Sequence, residues 1–364
     1  MGLITNVTAC AASTVVGRNA DGRPSFTCVV KAEYTWGVGG ALTPVAAAPI
    51  RVKDELESDP EVPDAQEAVP AVAHPSELGP RKRRTDVILV GAVALRSPVE
   101  SVDATLSVGA RLRKTLRITG DRYWLPAATG GLRPGRPKPF TRMPIAWSRS
   151  FGGVDPDYPE HAELRNPVGL GLRRKPEALK GTRLPNFEDP RDLVSSPKSR
   201  PAPVGFGAVA GHWMPRSPLA GTYDKRWNER RRPLLPEDFD PAFYNAAPHD
   251  QQLEAFNTGD EVRLVNLTLA AQVRFVLPNA TLPIIFVTEK ALVNARTMVD
   301  TIVIDPEKQR LSLISRVEYL PRTSLLELRS VVVGTPSRGL RRAIERGKRY
   351  VGRTPSAGPS APQG

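Results

Sequence analysis

The sequence predicts a mainly-β protein: an antiparallel, sandwich-like core with a long ordered Pro/Gly-rich irregular insertion and little helix. Apolar and polar residues alternate with a period of two near both ends of the chain. Proline makes up 37 of 364 residues, about twice the usual share of roughly 5%. Because it lacks an N–H donor and fixes φ, it disfavours long helices and central strands. Between the alternating ends lies a stretch, 125–260, that keeps no period yet is rich in aromatics.

The first clear element is 28–36, where Cys28, Val30, Ala32, Tyr34 and Trp36 share one face and Val29, Lys31, Glu33 and Thr35 the other, as expected of a half-buried strand. Residues 37–80, with Gly39-Gly40, several prolines and the acidic run Asp54, Glu55, Glu57, Asp59, Glu61, Asp64 and Glu67, read as a loop that builds no core. Residues 86–95 form a continuous apolar run, expected as one strand buried on both faces. Val102, Ala104, Leu106 and Val108 alternate next, with Gly109 opening a turn and Leu112–Ile118 supplying the antiparallel neighbour. In 125–260, Phe140, Trp147, Phe151, Trp213, Tyr223, Trp227, Phe239, Phe243 and Tyr244 are too large and apolar to leave wet, so irregular but ordered backbone over the β core is expected.

Strands resume at 261–269, 272–277, 283–290, 298–304, 310–319 and 325–333, with Asp305-Pro-Glu-Lys308 as a turn. Residues 337–350 read as one basic helix opened by Ser337, and Thr354–Gly364 as a disordered tail. The expected organisation is one elaborated β domain over 1–333, strand-rich in 1–124 and 261–333, followed by the basic helix and tail of 334–364.

The net charge is +13. Seven Lys and Arg against Glu345 within 338–353 supply a net six of these charges, and Arg81-Lys-Arg-Arg84 forms a second cluster. A solvated surface with a basic tail explains this more simply than a nucleic-acid groove. Cys10 and Cys28 form no CxxC pair, and so few cysteines suit a reducing compartment. No basic residue precedes an N-terminal apolar stretch, and Val87–Leu95 is about half the roughly 20 residues of a membrane helix. A soluble, cytoplasmic protein is expected.

Motifs that carry chemistry are sparse. Gly205-Phe-Gly-Ala-Val-Ala210 fits GxGxxA, but a dinucleotide site needs a strand before it and a helix after it, and here prolines precede and Gly211-His-Trp-Met-Pro215 follows. There is no Walker loop, GxSxG elbow or HExxH, and His74, His161, His212 and His249 are scattered. Asp238, Asp240, Asp250, Asp260 and Glu261 form the one acidic group that could hold a hard cation. They carry the rival reading of a metal-dependent or hydrolytic enzyme. Loop carboxylates more often cap turns or pair with arginine, so no catalytic residue, metal or cofactor is expected.

Between Pro139 and Gly259 a series of dense motifs appears: Arg149-Ser-Phe-Gly-Gly153, Asn166-Pro-Val-Gly-Leu-Gly171, Leu184-Pro-Asn-Phe-Glu188, Trp213-Met-Pro-Arg216, Ala220-Gly-Thr-Tyr-Asp-Lys-Arg-Trp227, Leu234-Leu-Pro-Glu-Asp-Phe-Asp240 and Asn245-Ala-Ala-Pro-His-Asp-Gln251. Lys31-Ala-Glu-Tyr34, Thr85-Asp-Val87, Gly120-Asp-Arg122, Gly259-Asp-Glu261 and Asp300-Thr301 flank them. In this order the motifs resemble the bacterial family known as domain of unknown function 2169, over about residues 3–333. The resemblance implies a non-enzymatic adaptor or chaperone that couples a secreted effector toxin to the spike-tip proteins of a type VI secretion system. It supplies no catalytic residues, and it extends neither to the acidic loop at 54–67 nor to the basic C-terminal extension. Since Trp, Tyr and Arg dominate interface hot spots, the expected partner-binding residues are Arg216, Tyr223, Asp224, Arg226 and Trp227. The competing reading of Gly221-Thr-Tyr-Asp224 is a tight corner whose Asp224 satisfies backbone donors.

Overall fold

The strand Pro24–Trp36 spans 13 residues, and its β-branched and aromatic side chains suit a pleated surface that is covered on both sides. It lies within a seven-stranded sheet, in the order Gln252–Leu253, Thr85–Leu89, Met298–Asp305, Arg310–Tyr319, Pro24–Trp36, Ala11–Arg18, with Leu42–Val45 also pairing to Pro24–Trp36. The computed structural model describes residues 3–18, 22–37, 39–57, 70–322 and 324–348. With 42% strand against 10% helix, the protein is mainly β, as expected. No helix among the described residues is long and apolar enough to cross a membrane.

One face of this sheet packs on two smaller sheets. Val87, Leu89, Ile302, Ile304, Leu311 and Leu313 meet Ala104, Leu106, Leu116, Val262, Leu264 and Phe275 of a five-stranded sheet. Trp36 stacks on Phe275 with ring centroids 5.1 Å apart. Farther along, Phe26, Cys28 and Val30 meet Ile284, Phe286, Val331 and Val333 of a four-stranded sheet. Each buried aliphatic or aromatic side chain contributes about 1.5–3 kcal/mol, so these two interfaces are the main source of stability. Most ladders are antiparallel. The parallel ones join Thr85–Leu89 to Met298–Asp305, Leu3–Asn6 to Leu328–Val333, and the short Phe151–Gly152 to Leu170–Gly171.

The 86–95 run is two strands rather than one, Thr85–Leu89 and Ala92–Val99. The chain turns at Gly91, whose φ is +78° and where a Cβ would come within 2.8 Å of Asp305 Oδ1. Both faces of Thr85–Leu89 are covered, as expected: Val87 and Leu89 face the five-stranded sheet, while Ile88 and Val90 face a second core of Trp147, Val168, Ala208, Ala210, Trp213, Ala246 and Ala247. That second core lies largely within the irregular 125–260 stretch, whose strands are two to five residues long.

Pro24–Trp36 is not half-buried. Its second face is also covered, by the 46–57 and 70–80 segments, and what joins them is charge. Lys31 Nζ donates to Glu77 at 2.8 Å and to Pro49 O at 2.9 Å. Glu33 accepts from Ala48 N at 3.0 Å and from Ser312 Oγ at 3.0 Å. Arg316 reaches Asp300 and the Glu77 carbonyl. A segment without apolar periodicity is thus fixed to the sheet by a buried network of charged and polar groups, in which Arg316 Nε finds no partner among the described residues.

The C-terminal helix is Arg338–Glu345, opened as expected by Ser337, whose Oγ accepts from Leu340 N at 3.2 Å. Leu340 is buried, and Ile344 packs on Ile285, Val287 and Val332 of the four-stranded sheet. Residues 349–364, including the expected disordered tail, and most of the acidic run (58–69) lie outside the described residues.

Candidate partner-binding surface

The segment 213–244 projects from the edge of the second core, and buried polar contacts set its shape. Arg216 turns inward: it donates to Val209 O and, at 2.7 Å, to Phe243 O, and its guanidinium lies 5.2 Å over the Phe243 ring. Burial lowers its pKa from the ordinary arginine value. Arg216 therefore fastens the base of the projection and is not part of its exposed face. Above it, Asp238 accepts from Thr222 N at 2.9 Å and from Thr222 Oγ1 at 2.7 Å, closing the loop across 16 residues.

Asp224 caps the short helix Lys225–Arg230, accepting from Trp227 N at 2.8 Å. The tight-corner reading therefore holds for Asp224. Trp227 Nε1 donates to Leu234 O at 2.8 Å, and the Trp227 ring meets Tyr223 edge-on with centroids 4.7 Å apart. Tyr223 is 53% exposed, and Arg226 is also exposed, 3.9 Å from Glu237. Tyr223, Arg226 and Trp227 thus stand together on an aromatic and cationic ledge. Two open grooves that share Leu234 lie nearby. One, of about 420 Å³, is lined by Trp227, Arg230, Arg231 and Leu234. The other, of about 550 Å³, runs between Leu234, Leu235 and Tyr244 on one side and Val15, Arg18 and Thr27 on the other.

The five carboxylates considered for a cation each have a separate partner: Asp238 the Thr222 groups, Asp240 Ala242 N and Arg83, Asp250 Lys114, Asp260 Arg111, and Glu261 Arg263. Among the described residues no group of three or more His, Cys, Asp or Glu is placed to hold a metal ion. Asp250 is one end of a feature that sequence reasoning missed. Lys114, on the core face between Leu112 and Leu116, reaches Asp250 at 2.9 Å and Gly205 O at 2.7 Å. Desolvation lowers its pKa and Asp250 partly restores it. A lysine amid alternating leucines was the available signal.

The GxGxxA segment is extended backbone threaded through the core, with Phe206 O accepting from Leu89 N and Gln251 Nε2. Its glycines make room for Trp147, whose ring would lie 3.2 Å from a Cβ at Gly205. In the Arg81–Arg84 cluster, Lys82 is buried on Asp86, so the four cations do not form one open face.

The other motifs are likewise architectural. Asn245 Nδ2 donates to Asp86 Oδ1 and Arg84 O, and Gln251 Nε2 donates to Val87 O at 2.7 Å, so Asn245–Gln251 is clipped to Thr85–Leu89. Asn166 Nδ2 bridges Trp147 O and Phe151 O at 2.9 and 3.0 Å. A family described as an uncharacterized protein conserved in bacteria (DUF2169) matches residues 21–316. The chain belongs to this family. The DUF2169 match covers the five-stranded sheet and the whole motif-rich region, and it covers the seven-stranded sheet except for Ala11–Arg18 and the end of Arg310–Tyr319. No curated protein and no solved structure matches the chain.

Proposed function

We propose that this DUF2169 protein is a non-enzymatic adaptor that binds a type VI secretion effector toxin and helps load it onto the secretion spike. One observation carries the reading. The Tyr223, Arg226 and Trp227 ledge is shaped by inward contacts, and Arg226 and Trp227 line an open groove. Aromatic and arginine side chains give the largest return per buried contact at protein interfaces. A ledge fixed in advance by Asp224, Asp238 and Arg216 loses little conformational entropy when a partner covers it. The resemblance to secretion adaptors supplies the partner class. On this reading the protein works in the cytoplasm, with the toxin and the spike-tip proteins as partners. Deleting the gene tests it: the toxin encoded beside it should lose stability or export, and unchanged levels of both would count against the adaptor role.

A further inference from the structure

The strand Ala11–Arg18 is the outermost strand of the seven-stranded sheet and runs eight residues. It pairs with Pro24–Trp36 along its whole length on one side. On the other side, among the described residues, its backbone has no hydrogen-bond partner. Every second residue of such a strand directs its N–H and C=O outward, so about four residues have these groups unpaired by any described residue. The other sheet edges are short or approached by neighbouring backbone. Gln252–Leu253 and Phe187–Glu188 have two residues each, and Gly40 lies against the Arg274 carbonyl on the edge strand Gln272–Val276. Leu3–Asn6 and Leu292–Arg296 have four and five.

Native edges are usually blunted by proline, by inward charge or by a bulge. Ala11-Ala-Ser-Thr-Val-Val-Gly17 carries no charge, no proline and no register shift, and Val16 is 52% exposed. Beside it lies the larger groove, with Val15, Ser25 and Thr27 facing Pro233, Leu234 and Leu235. The surroundings are basic. Arg18 lines the groove, and exposed Arg230 and Arg232 precede its Pro233–Leu235 wall within three residues, with Arg230 lining the neighbouring groove. Lys225–Arg232 holds five cationic residues against the single acidic Glu229.

We propose that this edge receives an acidic, extended segment of the partner protein as an added strand. The segment's apolar side chains enter the groove beside Val15 and Leu234, and its carboxylates meet Arg18, Arg230 and Arg232. Backbone pairing supplies the affinity, while the groove and the arginines supply the selectivity. This rests on the partner-binding reading above and extends it to a second surface beside the ledge.

The test is amide hydrogen exchange on the full chain with a blocked peptide that alternates glutamate and valine over the length of the strand. The expected result is slower exchange within Ala11–Arg18, reduced but not lost at high salt. Binding should be about tenfold weaker in the R18E/R230E/R232E variant, because exposed charge pairs are individually modest. No slowing in Ala11–Arg18 overturns the proposal. So does equal slowing by a lysine–valine peptide, or an edge already protected in a dimer of this chain. In a complex with the toxin, protection confined to other segments removes the edge but leaves the adaptor reading standing. A toxin that does not bind the chain sinks the adaptor reading, and the peptide result still decides the edge.

Discussion

Lys82 Nζ lies 2.7 Å from Asp86 Oδ2, with both side chains buried. Asp86 also accepts from Asn245 Nδ2 at 2.9 Å and from Ala246 N at 2.8 Å, so one carboxylate joins the strand Thr85–Leu89 to the irregular region. Removing one member of a buried pair leaves the other charge uncompensated, at a cost of about 3–5 kcal/mol. Asp86→Ala should destabilise the protein by that order in denaturant unfolding. The double variant K82M/D86L should lose less than the sum of the single changes, because no lone charge remains. Additive losses would mean that the pair is not coupled.

Arg216 on one side, and Tyr223 and Arg226 on the other, should separate stability from binding. Arg216→Ala leaves the part-buried Val209 and Phe243 carbonyls without their donor. That should cost about 1–3 kcal/mol of stability, seen as a lower melting temperature. Tyr223→Ala and Arg226→Ala remove exposed side chains and should leave the melting temperature nearly unchanged.

His74 gives the stability a pH dependence of defined sign. Burial, then Arg51, lowers its pKa from 6.5, so the folded state binds its proton less readily than the unfolded chain does. The folded state is then favoured most above pH 6.5 and loses this contribution as the pH falls towards the lower folded value. Relative to His74→Gln, the wild-type urea midpoint should fall as the pH drops below 6.5. A difference between them that stays constant across the range would contradict the assignment.

Much of the sheet was legible because alternation reports directly on burial. Leu311, Leu313, Val317 and Tyr319 share one face of Arg310–Tyr319 and pack in the two cores as their spacing implies. Other elements had no such signal. The break at Gly91 was hidden within apolar residues that are buried whichever sheet they join. The second face of Pro24–Trp36 looked wet because it carries Lys31 and Glu33, and the partner of Lys31 lies 46 residues away in a segment without period. Of the surface residues, Tyr223, Arg226 and Trp227 came together as their motif suggested. Arg216 did not, because the composition of a loop does not reveal which of its arginines turns inward to hold carbonyls.

The C-terminal helix should be an accessory to the fold. It buries Leu340 and rests Ile344 on Ile285, Val287 and Val332. Two aliphatic contacts are worth at most about 1.5–3 kcal/mol each, far less than the two sheet interfaces. Truncation after Val333 should lower the melting temperature by a few degrees while keeping the far-ultraviolet signature of a β protein. Loss of cooperative unfolding would show that the helix belongs to the core.

If the protein is an adaptor, the toxin binds the Tyr223–Trp227 ledge. Calorimetric titration of the purified chain with the toxin encoded beside its gene, repeated with the Y223A/R226A variant, tests it most directly. The expected result is saturable binding by the wild type and a loss of about 2 kcal/mol or more in the variant, at an unchanged melting temperature. Wild-type affinity in a fully folded variant would contradict it.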